Sequence, residues 1–284
     1  MKLVCMATSH QMDNLLSTKE RMTKFLNDRD WKALQPGFLS NKPFNHIIMD
    51  DFFAPEVVEQ LVKDFPDYDS PVWNAHYLNP IENKKACNHW DKFPRTTYSA
   101  FHYLCGAEFE HIVSQITGNP GVQADVGLHG GGWHAHATSG KLNVHLDYSI
   151  HPKLQLERHY NLIVYITPDW NPEWGGGLEV WDHNEDGTPS VLANTIENKF
   201  NRAVLFDTTQ HSWHGLPKDL HCPEGTLRQS MAIYYVTEPE QSADTRSRAL
   251  FVPHGAQADD PAILELIKLR SAEATAEKMY KGIK

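Results

Sequence analysis

His145 and Asp147 lie two positions apart in the stretch LNVHLDYSIHP (residues 142–152), whose apolar residues predict a buried strand. Side chains two positions apart in a strand point to the same face, so we expect the imidazole and the carboxylate to project side by side. Burying an unpaired carboxylate costs free energy. Asp147 therefore requires a partner, which could be an arginine, a histidine or a metal ion.

Two further histidines, His211 and His214, follow in the stretch QHSWHGLP. Gly215 comes directly after His214 and indicates a strand end or turn, a suitable place for a rigidly held ligand. Two histidines and one carboxylate on one side of a metal leave positions open for substrate and oxygen, as in non-heme Fe(II) oxygenases. We predict this triad with His214 favoured over His211. The alternative is that His145 and Asp147 are only a hydrogen-bonded pair.

Arg228 opens the apolar strand RQSMAIYYV and shares a face with Ser230. If this face points inward, the guanidinium needs an anion, and its planar fork fits a carboxylate. An inward arginine and serine would hold a dicarboxylate whose other end chelates the metal. The alternative is that Arg228 points outward as a surface residue.

The order HxD, distant histidine, RxS resembles that of the Fe(II)/2-oxoglutarate-dependent dioxygenases. The surrounding stretches LNVHLDYSIHP, RHYNLIVYITPDWNPEWGGGLEVWD and NRAVLFDTTQHSWHGLP look like those of the prolyl-4-hydroxylase-like branch. The stretch FNHIIMDDFFAPEVVEQL is similar to the entry strand and helix of that branch. The resemblance covers roughly residues 43–237.

The resemblance implies a double-stranded β-helix core (jelly roll, cupin-like) with Fe(II) held by His145, Asp147 and His214. It implies that Arg228 binds the distal carboxylate of 2-oxoglutarate, that Tyr165 contacts the same carboxylate, and that Ser230 assists. Such enzymes use O2 to convert 2-oxoglutarate to succinate and CO2, with ascorbate as a stimulating reductant. They usually hydroxylate an unactivated C–H bond, here in a small molecule or a peptidyl side chain.

The sequence leaves two interpretations open for each candidate substrate-binding residue. The segment LHGGGWHAHATSG leads into the strand of His145, so His134 or His136 could line the substrate mouth, or both could be exposed loop residues. Trp213 beside His214 could be a pocket wall or a core residue. We expect the loops at 66–96, 129–140 and 183–197 to decide the substrate.

The wider chain predicts a mainly β fold with flanking helices (α+β). Helices are indicated at 17–34, 54–65, 106–118 and 260–283, and strands at 142–150, 160–167, 177–182, 201–208 and 228–237, with 66–96 irregular. We divide the chain into an N-terminal helical extension (1–42), the dioxygenase domain (43–237) and a C-terminal helical extension (238–284). The last would pack on the core or on a partner subunit in a homodimer.

Composition excludes several classes of protein. The formal net charge of −10 argues against nucleic acid or an anionic membrane as the partner, and hints at a neutral or cationic substrate. No apolar run approaches the roughly 18 residues of a membrane span, and the N-terminus lacks a secretory apolar region. The four cysteines are scattered without a CxxC pair, which favours the reducing cytoplasm.

Two other functions remain open at this level. The same ferryl chemistry could have another outcome, namely desaturation, demethylation or cyclisation, whereas Asp147 argues against halogenation because halogenating relatives lack this carboxylate. A non-catalytic β-helix protein with a structural metal is the second alternative. A closed structural zinc site normally has four protein ligands and has no need of an inward arginine.

Overall fold

The apolar runs of the sequence become antiparallel strands in the computed structural model, which describes residues 24–271. The strands of these residues are β1 (His46–Met49), β2 (Ala75–Asn79), β3 (Glu82–Cys87), β4 (Gln123–Ala124), β5 (Gly132–His136), β6 (Lys141–Leu146), β7 (Glu157–Tyr165), β8 (Leu178–His183), β9 (Pro189–Ile196), β10 (Arg202–Asp207), β11 (His214–Leu216), β12 (Arg228–Thr237) and β13 (Leu250–Phe251). The helices are α1 (Gln35–Ser40), α2 (Pro55–Asp64), α3 (Arg95–Leu104), α4 (Ala107–Thr117) and α5 (Pro261–Ser271).

The strands follow one hydrogen-bonded path that curls on itself. Its order is β1-β10-β7-β12-β5-β3-β6-β11-β8-β9, with β13 beside β6, β2 beside β3 and β4 beside β12. Strand β3 pairs with β5 through one half and with β6 through the other, so it links the two halves of the strand path. This is the jelly-roll core that the sequence predicted.

Alternation along β7 and β12 decides which side chains face the cavity. On β12, Met231, Ile233 and Tyr235 belong to the core shared with α2, α3 and α4. The intervening β12 residues, from Arg228 to Tyr234, line the interior of the curl. Helices therefore cover one face of this sheet, and the other face forms the wall of a cavity.

The first described residues correct the predicted N-terminal helix. Residues 24–30 are not helical, and Leu26 is buried in a bridge to Phe53. The α-helix lies later, at α1, beyond the end of the predicted helix. Pro36 is tolerated there because it occupies the first turn, and Phe38 is buried against the core. The predicted residues before 24 lie outside the described part.

The region 66–96, predicted to be irregular, contains the hairpin β2–β3 and ends at the start of α3. Its strands carry polar and charged residues because they are only partly buried, and their pairing depends on the distant strands β5 and β6. The helices predicted at 54–65 and 106–118 are confirmed as α2 and α4. Gly118 ends α4 in the left-handed conformation, with φ of 77°.

The C-terminal segment returns to the core. Strand β13 pairs with β6, and Ile267 of α5 packs in one apolar cluster with Ile81 and Phe251. Arg270 near the end of α5 forms an ion pair with the buried Glu82 of β3. The helix predicted at 260–283 is thus present as α5, and its remainder lies outside the described residues. Among the described helices, none has the length and apolar character needed to cross a membrane.

Candidate active site

His145, Asp147 and His214 meet because β6 and β11 are antiparallel neighbours. His214 lies directly opposite His145 in the register, and Asp147 follows the last residue of β6. Asp147 Oδ1 is 3.7 Å from His145 Nε2, and its Oδ2 is 3.9 Å from His214 Nε2. All three ligand atoms lie within 4.8 Å of one another, and all three residues are buried. His211, the alternative third ligand, is exposed and packs against His183.

The two histidine rings present the same nitrogen to the site. Nδ1 of His145 lies 2.9 Å from the carbonyl oxygen of Asn143, and Nδ1 of His214 lies 2.7 Å from that of Ser212. A carbonyl only accepts, so each Nδ1 carries the proton and donates it, and each Nε2 keeps its lone pair for a metal. This arrangement fits a metal ion.

Aromatic neighbours fix the ring planes. Phe251 stacks on His145 with ring centroids 5.0 Å apart, and Phe206 meets His214 edge-on at 4.8 Å. Gly215 allows β11 to approach β6, because a Cβ there would lie 2.8 Å from the carbonyl oxygen of Leu142. The cluster is therefore held by packing on both sides, and its geometry does not depend on the metal alone.

The protonation states also suit metal binding. Burial, followed by the proximity of His214, lowers the pKa of His145 to about 3, so its ring is neutral at pH 7. Burial by itself would raise the pKa of Asp147, but its electrostatic interactions with His214, Arg158 and His145 outweigh burial and hold this pKa below its usual value. Two imidazoles that present Nε2 and one carboxylate are the donor set that non-heme Fe(II) prefers.

Asp147 has polar partners besides the histidines. Tyr234 donates its hydroxyl to Oδ1 at 3.3 Å, and the Asn161 amide lies 3.5 Å from Oδ2. Arg158 is 3.8 Å away and is held between the rings of Tyr148 and Tyr234, at 3.4 and 3.3 Å from their centroids. The stretch RHYNLIVY contained Arg158, but its role was missed, since only the fold brings it beside Asp147.

Arg228 points into the same cavity and is 3% exposed. Its Nε donates to the carbonyl oxygen of Gly176 at 2.7 Å, and its guanidinium lies 4.9 Å from the ring centroid of Tyr165. Among residues 24–271 no carboxylate lies within ion-pair distance of it. A buried guanidinium without an anion is costly, so this pocket fits a carboxylate ligand.

Two orphaned polar groups lie beside this guanidinium. Within residues 24–271, the buried Tyr165 hydroxyl has no hydrogen-bond partner of good geometry, and neither ring nitrogen of the buried His136 has one. Ser230 pairs with Tyr165 across β12 and β7 and lines the same wall. Such orphaned groups are the expected lining of a site for a polar ligand, and they fit the second carboxylate end of 2-oxoglutarate.

His134 and His136, predicted for the substrate mouth, both line the cavity, whose volume is about 550 Å³. Trp213 does not line it. The Trp213 side chain is 2% exposed, packs with Val144 and Leu146, and donates its indole N–H to the carbonyl oxygen of Gly187. Packing thus supports the core interpretation of Trp213.

The loops that line the cavity are partly those expected. Residues from 74–88 and 129–136 contribute, but the segment 183–197 does not, because it forms the outer β8–β9 hairpin. Residues 247–251 and Arg270 take its place. Sequence patterns gave no signal for these residues, since they lie far along the chain in a segment outside the stretch of resemblance.

Comparisons with known proteins agree with this geometry. Residues 132–243 match the family model of the 2OG-Fe(II) oxygenase superfamily. A curated relative, prolyl 3-hydroxylase OGFOD1 of Xenopus laevis, is 24% identical over 254 residues, which is 84% of this chain and 45% of that protein. The chain thus spans about half the length of that relative.

Two solved structures share the fold. A Trichoplax adhaerens prolyl hydroxylase, solved in complex with a hypoxia inducible factor oxygen degradation domain peptide fragment, has a TM-score of 0.51 at 16% identity, covering 81% of this chain and 94% of that one. A Pseudomonas putida prolyl-4-hydroxylase has a TM-score of 0.52 at 14% identity, covering 74% of this chain and 100% of that one. At these identities the likeness is one of fold, and both matches span most of this chain.

Proposed function

We propose that this chain, whose residues 132–243 match the family model of the 2OG-Fe(II) oxygenase superfamily, couples oxidative decarboxylation of 2-oxoglutarate to hydroxylation of an unactivated C–H bond. One observation carries the proposal. The Nε2 atoms of His145 and His214 and the carboxylate of Asp147 converge in a cavity that also holds Arg228, which has no counter-ion in the described part of the chain. Metal-binding and anion-binding groups thus share one chamber.

In this proposal His145, Asp147 and His214 hold Fe(II), which supplies the activation of O2. Arg228 and Tyr165 bind the distal carboxylate of 2-oxoglutarate, and Ser230 lies beside them. The Tyr234 hydroxyl and the Asn161 amide orient the Asp147 carboxylate toward the histidines. Burial of all these groups excludes bulk water from the reacting centre, which strengthens every charge interaction there.

A peptidyl prolyl residue is the substrate that we propose first. The curated relative, which matches over 84% of this chain, carries the name prolyl 3-hydroxylase, and this supports a prolyl target. His134 and His136 line the cavity within reach of a bound substrate. A small-molecule substrate remains the second candidate.

The other functions considered from the sequence are less well supported. A structural metal site has no use for Arg228 without a carboxylate partner, or for the Tyr165 hydroxyl beside it, which has no hydrogen-bond partner of good geometry among the described residues. Asp147 fills the carboxylate position that halogenating relatives lack. Desaturation, demethylation or cyclisation would use the same residues, so the product decides between them and hydroxylation.

The test is a reaction of the purified protein with Fe(II), 2-oxoglutarate and ascorbate under air, against proline-containing peptides and free amino acids. We expect succinate in amounts that depend on iron, and a product heavier by one oxygen atom. A product lighter by two hydrogen atoms would indicate desaturation or cyclisation. If neither succinate nor 2-oxoglutarate binding is detected with the metal bound, the proposal is wrong.

We also propose the domain limits 1–42, 43–237 and 238–284, a reducing cytoplasmic location and a homodimer. The three cysteines of the described residues, Cys87, Cys105 and Cys222, are free thiols, which supports a reducing compartment. Light scattering of the purified protein tests the homodimer. Fractionation of the source cells tests the location.

A further inference from the structure

The cavity beside the candidate metal site is strongly cationic. Its described lining carries six basic side chains and two carboxylates. The basic residues are Lys84, Lys153, Arg158, Arg228, Arg248 and Arg270, and the acidic ones are Glu82 and Asp147. Six cations therefore outnumber two carboxylates by four, in a chain whose formal net charge is −10.

The histidines of the cavity do not change this balance. Burial lowers the pKa of His129 to about 4 and that of His134 to about 3, and it lowers that of His136 well below its usual value. These rings are neutral at pH 7, so the excess comes from lysine and arginine alone.

The proposed cofactors also leave the excess unchanged. Fe(II) is a dication and 2-oxoglutarate is a dianion, so their charges cancel. The distal carboxylate would neutralise Arg228, and the metal together with the other carboxylate of the cosubstrate would add one net positive charge beside Asp147. The net positive charge of the cavity thus remains for a further ligand.

Apart from Arg228, which the distal carboxylate of the cosubstrate would neutralise, two of the cations have no carboxylate partner among the described residues. Glu82 accepts ion pairs from both Lys84 and Arg270, and Arg158 lies near Asp147. By contrast, Lys153 and Arg248 have no carboxylate within ion-pair distance in the described part of the chain. They come from the turn before β7 and from the segment before β13, which are separate parts of the cavity lining.

We infer that the substrate is anionic and carries one or more carboxylates near the carbon that is oxidised, which Lys153 and Arg248 recognise. This inference rests on the proposed function and specifies its substrate class. The carboxylates belong either to acidic residues flanking the target in a peptide or to a small acidic molecule. A cleft lined by one sign of charge concentrates ligands of the opposite sign and speeds their association. The local charge replaces the expectation of a neutral or cationic substrate that the net charge suggested.

The experiment uses three pools of short capped peptides with a random central residue. The flanking residues are all glutamate in one pool, all glutamine in the second and all lysine in the third. Binding to the full chain is measured with Mn(II) and 2-oxoglutarate bound, and again without them. We expect the glutamate pool to bind most tightly and the lysine pool most weakly, with a preference that salt reduces.

Lys153→Gln combined with Arg248→Gln should weaken binding of the glutamate pool by about tenfold. That factor corresponds to roughly 1.4 kcal/mol shared by two partly exposed ion pairs. The matched control is Lys63→Gln combined with Arg95→Gln, which removes the same charge from two exposed residues outside the cavity lining. It should leave binding unchanged. Displacement of the pool by free L-glutamate indicates a small acidic molecule, and persistence of the pool indicates an acidic peptide.

Equal binding of the glutamate and glutamine pools overturns the inference, as does no binding of any pool up to about 1 mM. An equal loss in the control variant does the same. Failure of the proposed function is seen separately, as a protein that binds neither the metal nor 2-oxoglutarate in the same titrations. If both of these bind and the peptide preference is absent, only the inference on the substrate fails.

Discussion

One backbone carbonyl group contacts Nδ1 of each imidazole and so determines which nitrogen of His145 and His214 can bind a metal. Because the backbone carbonyls of Asn143 and Ser212 accept from Nδ1, both Nε2 atoms face the cavity and are available to a metal. The adjacent Asp147 is kept ionised by the charges around it and is oriented by Tyr234. The chemistry proposed for the site therefore depends on the residues that hydrogen-bond to the three ligands as much as on the ligands themselves.

The first prediction concerns the third ligand. His214→Ala should lower the iron bound per chain by at least about tenfold. Loss of a residue that only hydrogen-bonds to a metal ligand already costs about 10–100-fold in metal affinity, and loss of the ligand itself should cost no less. His211→Ala is the control and should bind iron as the parent does, because His211 is exposed on the surface. Elemental analysis after dialysis against Fe(II) measures both. The opposite result would give the ligand role to His211.

The second prediction concerns the cosubstrate anchor. Arg228→Ala removes one partner of a buried charge pair, which costs about 2–5 kcal/mol. We therefore expect 2-oxoglutarate to bind about 30-fold more weakly or worse, while metal affinity changes much less. Arg95→Ala, at an exposed position, is the control. Calorimetric titration of 2-oxoglutarate into the Mn(II)-loaded protein measures the effect, and an unchanged affinity removes Arg228 from the site.

The third prediction is a pH dependence of stability from His136. Its ring stays neutral in the folded protein, whereas in the unfolded chain it takes up a proton below about pH 6.5. Below this pH the unfolded state binds more protons than the folded state. The free energy of unfolding is therefore highest above pH 6.5, and it falls by up to about 1.4 kcal/mol per pH unit as the pH drops. Urea unfolding of the metal-free protein at pH 7 and 5.5 should show a drop that His136→Gln reduces by about 1 kcal/mol. An equal drop in both proteins would contradict this.

At the scale of elements, the site depends on how closely β11 and β6 approach. His145 and His214 face each other across this pair of strands, and Gly215 lies against the backbone oxygens of Leu142 and Asn143. Both oxygens belong to the backbone, so a Cβ added at Gly215 can be accommodated only if one of the strands moves. The register between these strands thus sets the spacing of the metal ligands.

The fourth prediction tests this approach. In Gly215→Ala the new Cβ would lie 2.8 and 2.9 Å from the two carbonyl oxygens, so β11 must shift away. We expect a loss of about 1–3 kcal/mol, typical of overpacking, and weaker Fe(II) binding. Gly121→Ala is the control, since its Cβ would meet only the Asn119 side chain at 3.5 Å. Thermal melting and iron titration measure both variants; a Gly215→Ala protein like the parent in both would disprove the tight approach.

At the scale of the whole molecule, the C-terminal segment closes the cavity that the jelly roll opens. Strand β13 brings Phe251 against His145, and α5 brings Arg270 to Glu82 on the β2–β3 hairpin. Strand β3 of this hairpin links β5 to β6, and α5 is attached to it through the ion pair of Arg270 with Glu82. The segment beyond residue 237 is therefore structurally part of the site.

The fifth prediction concerns this fastening. Arg270→Ala leaves the buried Glu82 with Lys84, at 3.3 Å, as its remaining ion-pair partner. Breaking a buried pair outright costs about 3–5 kcal/mol, and the remaining lysine should reduce the loss to about 1–3 kcal/mol. Lys268→Ala is the control on the same helix, because its pair with Glu265 is exposed. Glu82→Gln should partly rescue Arg270→Ala; without rescue in urea unfolding, the two residues are not coupled.

Much of the site could be predicted because its signals are local. A strand period of two places His145 beside Asp147 and Arg228 beside Ser230, and the chemistry of these side chains limits what each can bind. The same period predicts the strands of the core, since buried runs such as RQSMAIYYV need no knowledge of their partners. Helices α2 and α4 follow from their apolar spacing in the same way.

The remaining features were decided only by the tertiary structure, because they depend on which distant segments meet. Nothing local in RHYNLIVY indicates that Arg158 is held between two tyrosine rings beside Asp147. The polar hairpin β2–β3 forms because β5 and β6 pair with it, and Leu26 leaves its predicted helix because it bridges to Phe53. The cationic lining is the clearest case. Its basic residues come from segments that are far apart in the sequence. Only the fold brings them together in one cavity, which is cationic although the whole chain has a net negative charge.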